Sequence, residues 1–277
     1  MNEQSKKDIS KGKKFILLGF VMIGILFLIY GRYQDPELLT PSAIESIQRI
    51  AYGFYITLIV SFGTIALGMY RYHKGKVESD GKDLSTIIAI ITWNSKSRKI
   101  FVFTFIAYGI FFSLISGTLV YQPEVSFSIH YGADVPSGFI APCCGELGYM
   151  PKVIVYLTDH IGLQVIPINL VLQIIVSYLV GLNASIAISA YTISKKGRGV
   201  STIGAAAGLF IACPTCAGTF MSIFIGTASG IALSIALTQL QTLFIAVSIP
   251  ILIITPYIMA KKLRNKDGSC KINREPK

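Results

Sequence analysis

Two short segments carry residue types able to do chemistry in an otherwise apolar chain. One is Cys213-Pro214-Thr215-Cys216, set in GAAAGLFIACPTCAGTFMSIFIGTASG at Gly204–Gly230. The other is Cys143-Cys144, set in SGFIAPCCGELGYMP. Two thiols spaced around a proline suit thiol–disulfide exchange, and they equally suit a soft metal such as copper(I). Pro214 has no N–H, and its ring clashes with the carbonyl four residues back, so a helix through this run breaks there. The break makes Cys213 the N-cap of the next helical piece, with Pro214 at its favoured first position. A thiolate at that place feels the positive end of the helix dipole, which lowers its pKa. Cys213 is then the nucleophile and Cys216 the resolving partner. Cys143 and Cys144 form the exchanging pair. Their Cα atoms lie about 3.8 Å apart, below the span of about 4.4–6.8 Å usual for a disulfide, so a bond between them is strained and labile. Buried structural cysteines are the bland alternative for Cys213 and Cys216, and a structural disulfide to another part of the protein is the bland alternative for Cys143 and Cys144.

The elements that must position these thiols are membrane spans. Of 277 residues, 52% are hydrophobic and 14% charged, whereas a soluble domain carries about 25% charge. The net charge of +11 gathers in short basic segments between apolar runs, the pattern of cytoplasmic loops rather than of a nucleic-acid-binding surface. The sequence therefore predicts an all-α polytopic membrane protein of about six transmembrane helices, both termini cytoplasmic, with one helix broken at Pro214.

Residues 1–14 form a basic cytoplasmic N-terminus, and residues 15–120 hold three spans, Phe15–Tyr30, Ile50–Tyr70 and Ile100–Val120. Between the last two lies a basic cytoplasmic loop at 71–99, in which the apolar Leu84–Trp93 is too short to cross and is expected to lie on the membrane surface. Residues 121–165 form an extracytoplasmic loop carrying Cys143 and Cys144. Residues 166–260 hold three more spans, Ile166–Ile193, a fifth from near Val200 that contains the cysteine-proline motif, and a sixth mainly at Thr242–Ala260. Residues 261–277 form a basic cytoplasmic tail. On this topology Cys213 lies in the outer half of the bilayer, within reach of the loop pair, and Cys270 lies on the opposite side.

The two segments also look alike, Phe139-Ile140-Ala141-Pro142-Cys143-Cys144-Gly145 beside Phe210-Ile211-Ala212-Cys213-Pro214-Thr215-Cys216-Ala217-Gly218. Both resemble the cysteine segments of the membrane thiol–disulfide electron carriers that serve cytochrome c biogenesis and disulfide reduction. The GAAAGL run before Cys213 is similar to that family's second cysteine helix, and the proline beside Cys143 to its first. The resemblance implies a multi-pass cell-membrane protein whose cysteines cycle between dithiol and disulfide. Their partner would be an extracytoplasmic thiol protein, and a quinone is an eligible electron acceptor.

Two other functions stay open, a copper-handling membrane protein and a non-catalytic subunit of a larger membrane complex. Copper(I) would be held by Cys213, Cys216, Cys143 and Cys144, with Met150 and Met221 as thioether donors. His130 and His160 belong to the loop and are expected to be solvated, and His73 sits among lysines. Asn169, Gln173 and Asn183 in the fourth span are expected to hydrogen-bond between helices. No Asp, Glu, Lys or Arg lies inside a span, which weighs against a classical ion-coupled transporter.

Overall fold

A computed structural model describes residues 3–34, 41–79, 83–143, 145, 147–195 and 249–261. Cys144, Cys213, Cys216, Cys270, the break at Pro214, the fifth span and the start of the sixth lie outside the described residues. The helices are α1 (Glu3–Gly31), α2 (Pro41–Glu78), α3 (Leu84–Trp93), α4 (Ser95–Ile115), the short α5 (Phe127–Tyr131) and α6 (Pro167–Lys195). A further apolar helix, α7, covers Ile249–Lys261. Four helices, α1, α2, α4 and α6, are long and apolar enough to cross a membrane, and the chain is a membrane protein. Leu17, Leu28, Ile56, Ile59 and Phe103 stand exposed on these helices, as side chains that meet lipid do.

The chain divides into two compact units. In the unit that contains residues 2–75 and 110–174, α1 and α2 form an antiparallel pair. Small residues recur every seventh position in each, Ser5, Gly12 and Gly19 in α1 and Ser61, Gly68 and Gly75 in α2, and all six are buried. Ser5 Oγ donates to the Gly75 carbonyl at 2.7 Å. A Cβ placed on Gly12 would come within 2.8 Å of the Gly68 carbonyl oxygen, and one on Gly19 within 3.0 Å of that of Ser61. The seam therefore brings backbone against backbone, and only a missing side chain permits it. The buried positions of α2 run on as Ile47, Ala51, Phe54, Leu58, Ser61, Gly68 and Gly75. That is the 3.5-residue repeat of a supercoiled pair.

The helix of the first span begins before Phe15: Glu3–Lys14 form the first turns of α1, packed on the last turns of α2. With 29 residues, α1 is about 44 Å long, and α2, with 38 residues, is about 57 Å. Each exceeds the roughly 30 Å of hydrocarbon it must cross.

The same unit holds an addition to the all-helical expectation. Residues 121–165, read from sequence as a loop, belong with the end of the predicted third span to a four-stranded antiparallel sheet of β1 (Leu119–Tyr121), β2 (Ser137–Ala141), β3 (Lys152–Tyr156) and β4 (Ile161–Val165), in the order β1-β4-β3-β2; α4 stops at Ile115, short of the expected Val120. Lys152-Val-Ile-Val-Tyr156 is rich in the β-branched and aromatic residues that favour strands. Its register sets Ala141 opposite Lys152 and Val153 opposite Val165 at one end, and Ser137 opposite Tyr156 at the other. Because β1 follows α4 closely and β4 leads straight into α6, the first end is the one nearest the helices.

In the other unit, which contains residues 76–109 and 175–277, one side of α3 is packed against other helices. Ile87, Ile88 and Ile91 are buried in one cluster with Leu182 and Ile186 of α6 and Ala260 of α7. A second cluster joins Val176 and Val180 of α6 to Leu252 of α7.

Candidate functional site

Cys143 is the one candidate thiol among the described residues, and its sulfur is in a disulfide. It stands just past the end of β2, at the helix-proximal end of the sheet, and is partly exposed. Pro142, Gly148, Met150 and Pro151 are held by groups at the end of α1, within α2 and at the start of α6. The Tyr30 hydroxyl, in the last turn of α1, donates to the Pro142 carbonyl, the peptide group directly before Cys143. Gln34 Nε2 donates to the Met150 carbonyl at 3.4 Å. The Tyr55 hydroxyl of α2 lies 2.7 Å from the Pro151 carbonyl and 3.1 Å from that of Val165, so its single proton ties the loop end to β4.

These tyrosines are set by the packing beneath them. Phe54 is buried and makes edge contacts with Phe27, Tyr30 and Tyr55, with ring centroids 5.0–5.6 Å apart. Ring packing of this kind fixes where the hydroxyls can point.

Gly148 explains how the loop comes so close. Its φ is +89°, a conformation that side chains oppose, and a Cβ there would stand 3.2 Å from Ile168 Cβ and 3.3 Å from a Phe27 ring carbon. Its carbonyl accepts the N–H of Ile168 at 3.0 Å. One of the orphan donors at the start of α6 is thereby satisfied by the loop itself.

Met150 packs back over the loop, where a Cβ on Gly145 would meet its Cγ at 3.0 Å and its Cε at 3.3 Å. Met221 lies outside the described residues.

The histidines are not gathered with Cys143. His160 belongs to the β3–β4 turn, at the far end of the sheet, about 15 Å of strand away. Its Nδ1 faces the carbonyls of Gln122 at 3.2 Å and Val125 at 3.1 Å, so that nitrogen carries the proton. His130 is in α5, at the same end, against the Tyr131 ring. Beside them, Asp159 accepts hydrogen bonds from Ser128 and Ser126. The Ser128 hydroxyl, first among these, holds the Asp159 carboxyl below its ordinary pKa. Among the described residues, no three His, Cys, Asp or Glu side chains cluster in a way that holds a metal ion.

The polar residues of α6 hydrogen-bond between helices as expected. Gln173 Nε2 donates to Ser113 Oγ at 2.7 Å, and Asn169 Nδ2 lies 3.5 Å from the Ser116 carbonyl. Asn183 Nδ2 donates to the Leu252 carbonyl of α7 at 2.9 Å. That carbonyl has no helical donor, because the residue four places on is Pro256.

The site residues that sequence reasoning missed are Tyr30, Tyr55 and Gly148. Their signal was weak, since a tyrosine near a span end is ordinary interface anchoring. Compared with models of protein families, with curated proteins and with solved structures, the chain matches none.

Proposed function

We propose that this is a six-span cell-membrane protein, both termini cytoplasmic, that exchanges thiols and disulfides at its extracytoplasmic face. The observation that carries the reading is the Cys143 disulfide itself. It is partly exposed, it stands where sheet meets helices, and a tyrosine hydroxyl fixes its preceding peptide group.

The exchange is a thiolate displacement. A cysteine thiolate of an extracytoplasmic dithiol protein attacks one sulfur of the Cys143 disulfide. A mixed disulfide forms, the old S–S bond breaks, and the released cysteine leaves with the electron pair and takes up a proton. The partner's second thiolate then attacks the mixed disulfide, so the partner departs oxidised and this protein holds two thiols. Cys143 and Cys144 act as the exchanging pair. Cys213 and Cys216, when oxidised, take up the two electrons by the same chemistry, with Cys213 as nucleophile. A quinone is an acceptor of suitable class for their reoxidation.

The double variant Cys144→Ser/Cys216→Ser tests the relay, because it leaves Cys143 and Cys213 without resolving partners. Mild oxidation should join these two within one chain, at a Cα separation of no more than about 7 Å. If none of the four single-cysteine pairings cross-links, the two pairs are separate and the relay falls.

Copper(I) handling is the second reading, with Met150 packed on the loop at Gly145, two residues from Cys143. Titration of the reduced protein with copper(I) separates the readings. Tight binding that is lost in Met150→Leu favours the metal. Inert thiols would favour a structural subunit.

A further inference from the structure

The sheet has two edges, and they differ. β1 is three residues long, too short to serve as a template, whereas β2 presents five residues, Ser137-Gly138-Phe139-Ile140-Ala141, paired on one side only, with β3, among the described residues. Natural edge strands are usually blunted by lysine, by an internal proline or by a bulge. β2 has no charged residue and no proline within it, and its register with β3 is unbroken over all five positions. Pro136 and Pro142 bound it, so the open edge is limited to these five residues. Gly138 and Phe139 are exposed, and the small Ser137, Gly138 and Ala141 leave the backbone uncovered by side chains.

What makes this edge more than an unblunted strand is where it leads. Cys143 follows Ala141 by two residues, and the intervening Pro142 is fixed to Tyr30. We propose that β2 is the docking strand for the thiol partner: an extended, uncharged segment of that protein adds to the sheet alongside Ser137–Ala141 and so delivers its cysteine to the Cys143 disulfide. This rests on the thiol-exchange reading and supplies the partner's alignment on the disulfide. Backbone hydrogen bonds give the affinity and depend little on sequence, which suits an exchanger that serves more than one partner. The geometry also sets where the partner's cysteine must be. Cys143 lies two residues beyond the strand end, so the partner cysteine lies about two residues outside its own paired segment, before it in an antiparallel addition and after it in a parallel one.

The test uses the full-length oxidised protein and blocked peptides of alternating valine and threonine with one cysteine, placed at the N-terminal end, the C-terminal end or the centre. The rate read out is formation of the mixed disulfide at Cys143, with dithiothreitol as the reductant that needs no docking. One of the end-placed peptides should react fastest. N-methylation of alternate peptide amides removes two or three backbone hydrogen bonds. In one alternation it should slow that peptide about tenfold, and in the other it should leave the rate nearly unchanged. The dithiothreitol rate is unaffected throughout. Equal rates for all cysteine placements, with no effect of either N-methylation pattern, would overturn strand docking while leaving thiol exchange intact. No reaction with peptides or with dithiothreitol would remove the thiol-exchange reading, and this docking with it.

Discussion

The α1–α2 pair and the α6–α7 pair solve the same problem in opposite ways. Lipid tails are as apolar as leucine, so helices in a membrane gain little from burying apolar surface against one another. α1 and α2 respond by removing side chains. Their seam of glycine and serine lets two backbones approach until a single Cβ would collide with a carbonyl. α6 and α7 keep bulky residues at the contact and rely on one polar group, Asn183, which supplies the donor that Pro256 denies to the Leu252 carbonyl. The first pair is held by close backbone contact along its seam, and the second, among the described residues, by apolar clusters with one polar tie. That first pair is also the one that carries Tyr30 and Tyr55, the groups that position the Cys143 segment. A thiol site that must hold one geometry is better supported by the first kind of pairing than by the second.

The largest expected effect comes from filling the seam. Gly68→Val places a Cβ 2.8 Å from the Ile16 backbone nitrogen and should cost about 3 kcal/mol or more, since neither backbone can yield without separating the helices. Gly63→Ala, where nothing lies within 4 Å, should be neutral or stabilising by about 0.5–1 kcal/mol as an ordinary helix-interior substitution. Thermal unfolding in detergent compares the two. Equal effects would break the claim that α1 and α2 are paired through glycine.

Next is the tie between α6 and α7. Asn183→Leu should cost about 1–2 kcal/mol, near the upper range for polar contacts within membranes. Adding Pro256→Ala restores a backbone donor to Leu252 and should recover part of that loss in a double-mutant cycle. Strict additivity would mean that Asn183 does not serve the proline-freed carbonyl.

A smaller effect is expected at the thiol site. Tyr30→Phe removes one hydrogen bond and should cost about 1 kcal/mol. It should also speed reduction of the Cys143 disulfide by dithiothreitol, because Pro142 is released. Tyr52→Phe, on an exposed position of the same helix pair, is the control and should leave that rate unchanged.

The smallest effect is at the far end of the sheet. The Asp159 carboxyl is held below its ordinary pKa by Ser128. Its contribution is therefore complete above the ordinary carboxylate range and is lost as pH falls through the depressed value. The protection of the Phe127–Tyr131 amides, relative to their intrinsic exchange rate at each pH, should fall in acid, and Asp159→Asn should remove that change while leaving the α1–α2 seam unaffected.

The apolar runs made the spans legible, and the amides of α6 were legible as interhelical hydrogen-bonding groups because little else in a span is polar. The glycine seam was present in the sequence as Ser5, Gly12 and Gly19 facing Ser61, Gly68 and Gly75. It was hidden because the basic residues around Gly12 and Gly75 mark loops by the usual charge rule. That rule locates the cytoplasmic side and says nothing about where a helix stops. The sheet was hidden for a different reason. Lys152–Tyr156 and Ile161–Val165 read as part of a loop, because segments of five residues between long spans carry a weak signal of strand pairing. Cys143 was identified from its neighbours alone, whereas the tyrosine that positions it is 113 residues away in sequence, and only the folded chain brings the two segments together.

The central claim is that the Cys143 disulfide trades electrons with outside thiols and is not a permanent brace. The direct measurement is a redox titration of the full-length protein in sealed vesicles against membrane-impermeant dithiol buffers, with reduced Cys143 counted by alkylation and mass spectrometry. The account predicts half-reduction between about −120 and −270 mV, the range of proteins that exchange disulfides. Cys143 still fully oxidised below about −300 mV, where structural disulfides persist, would contradict it.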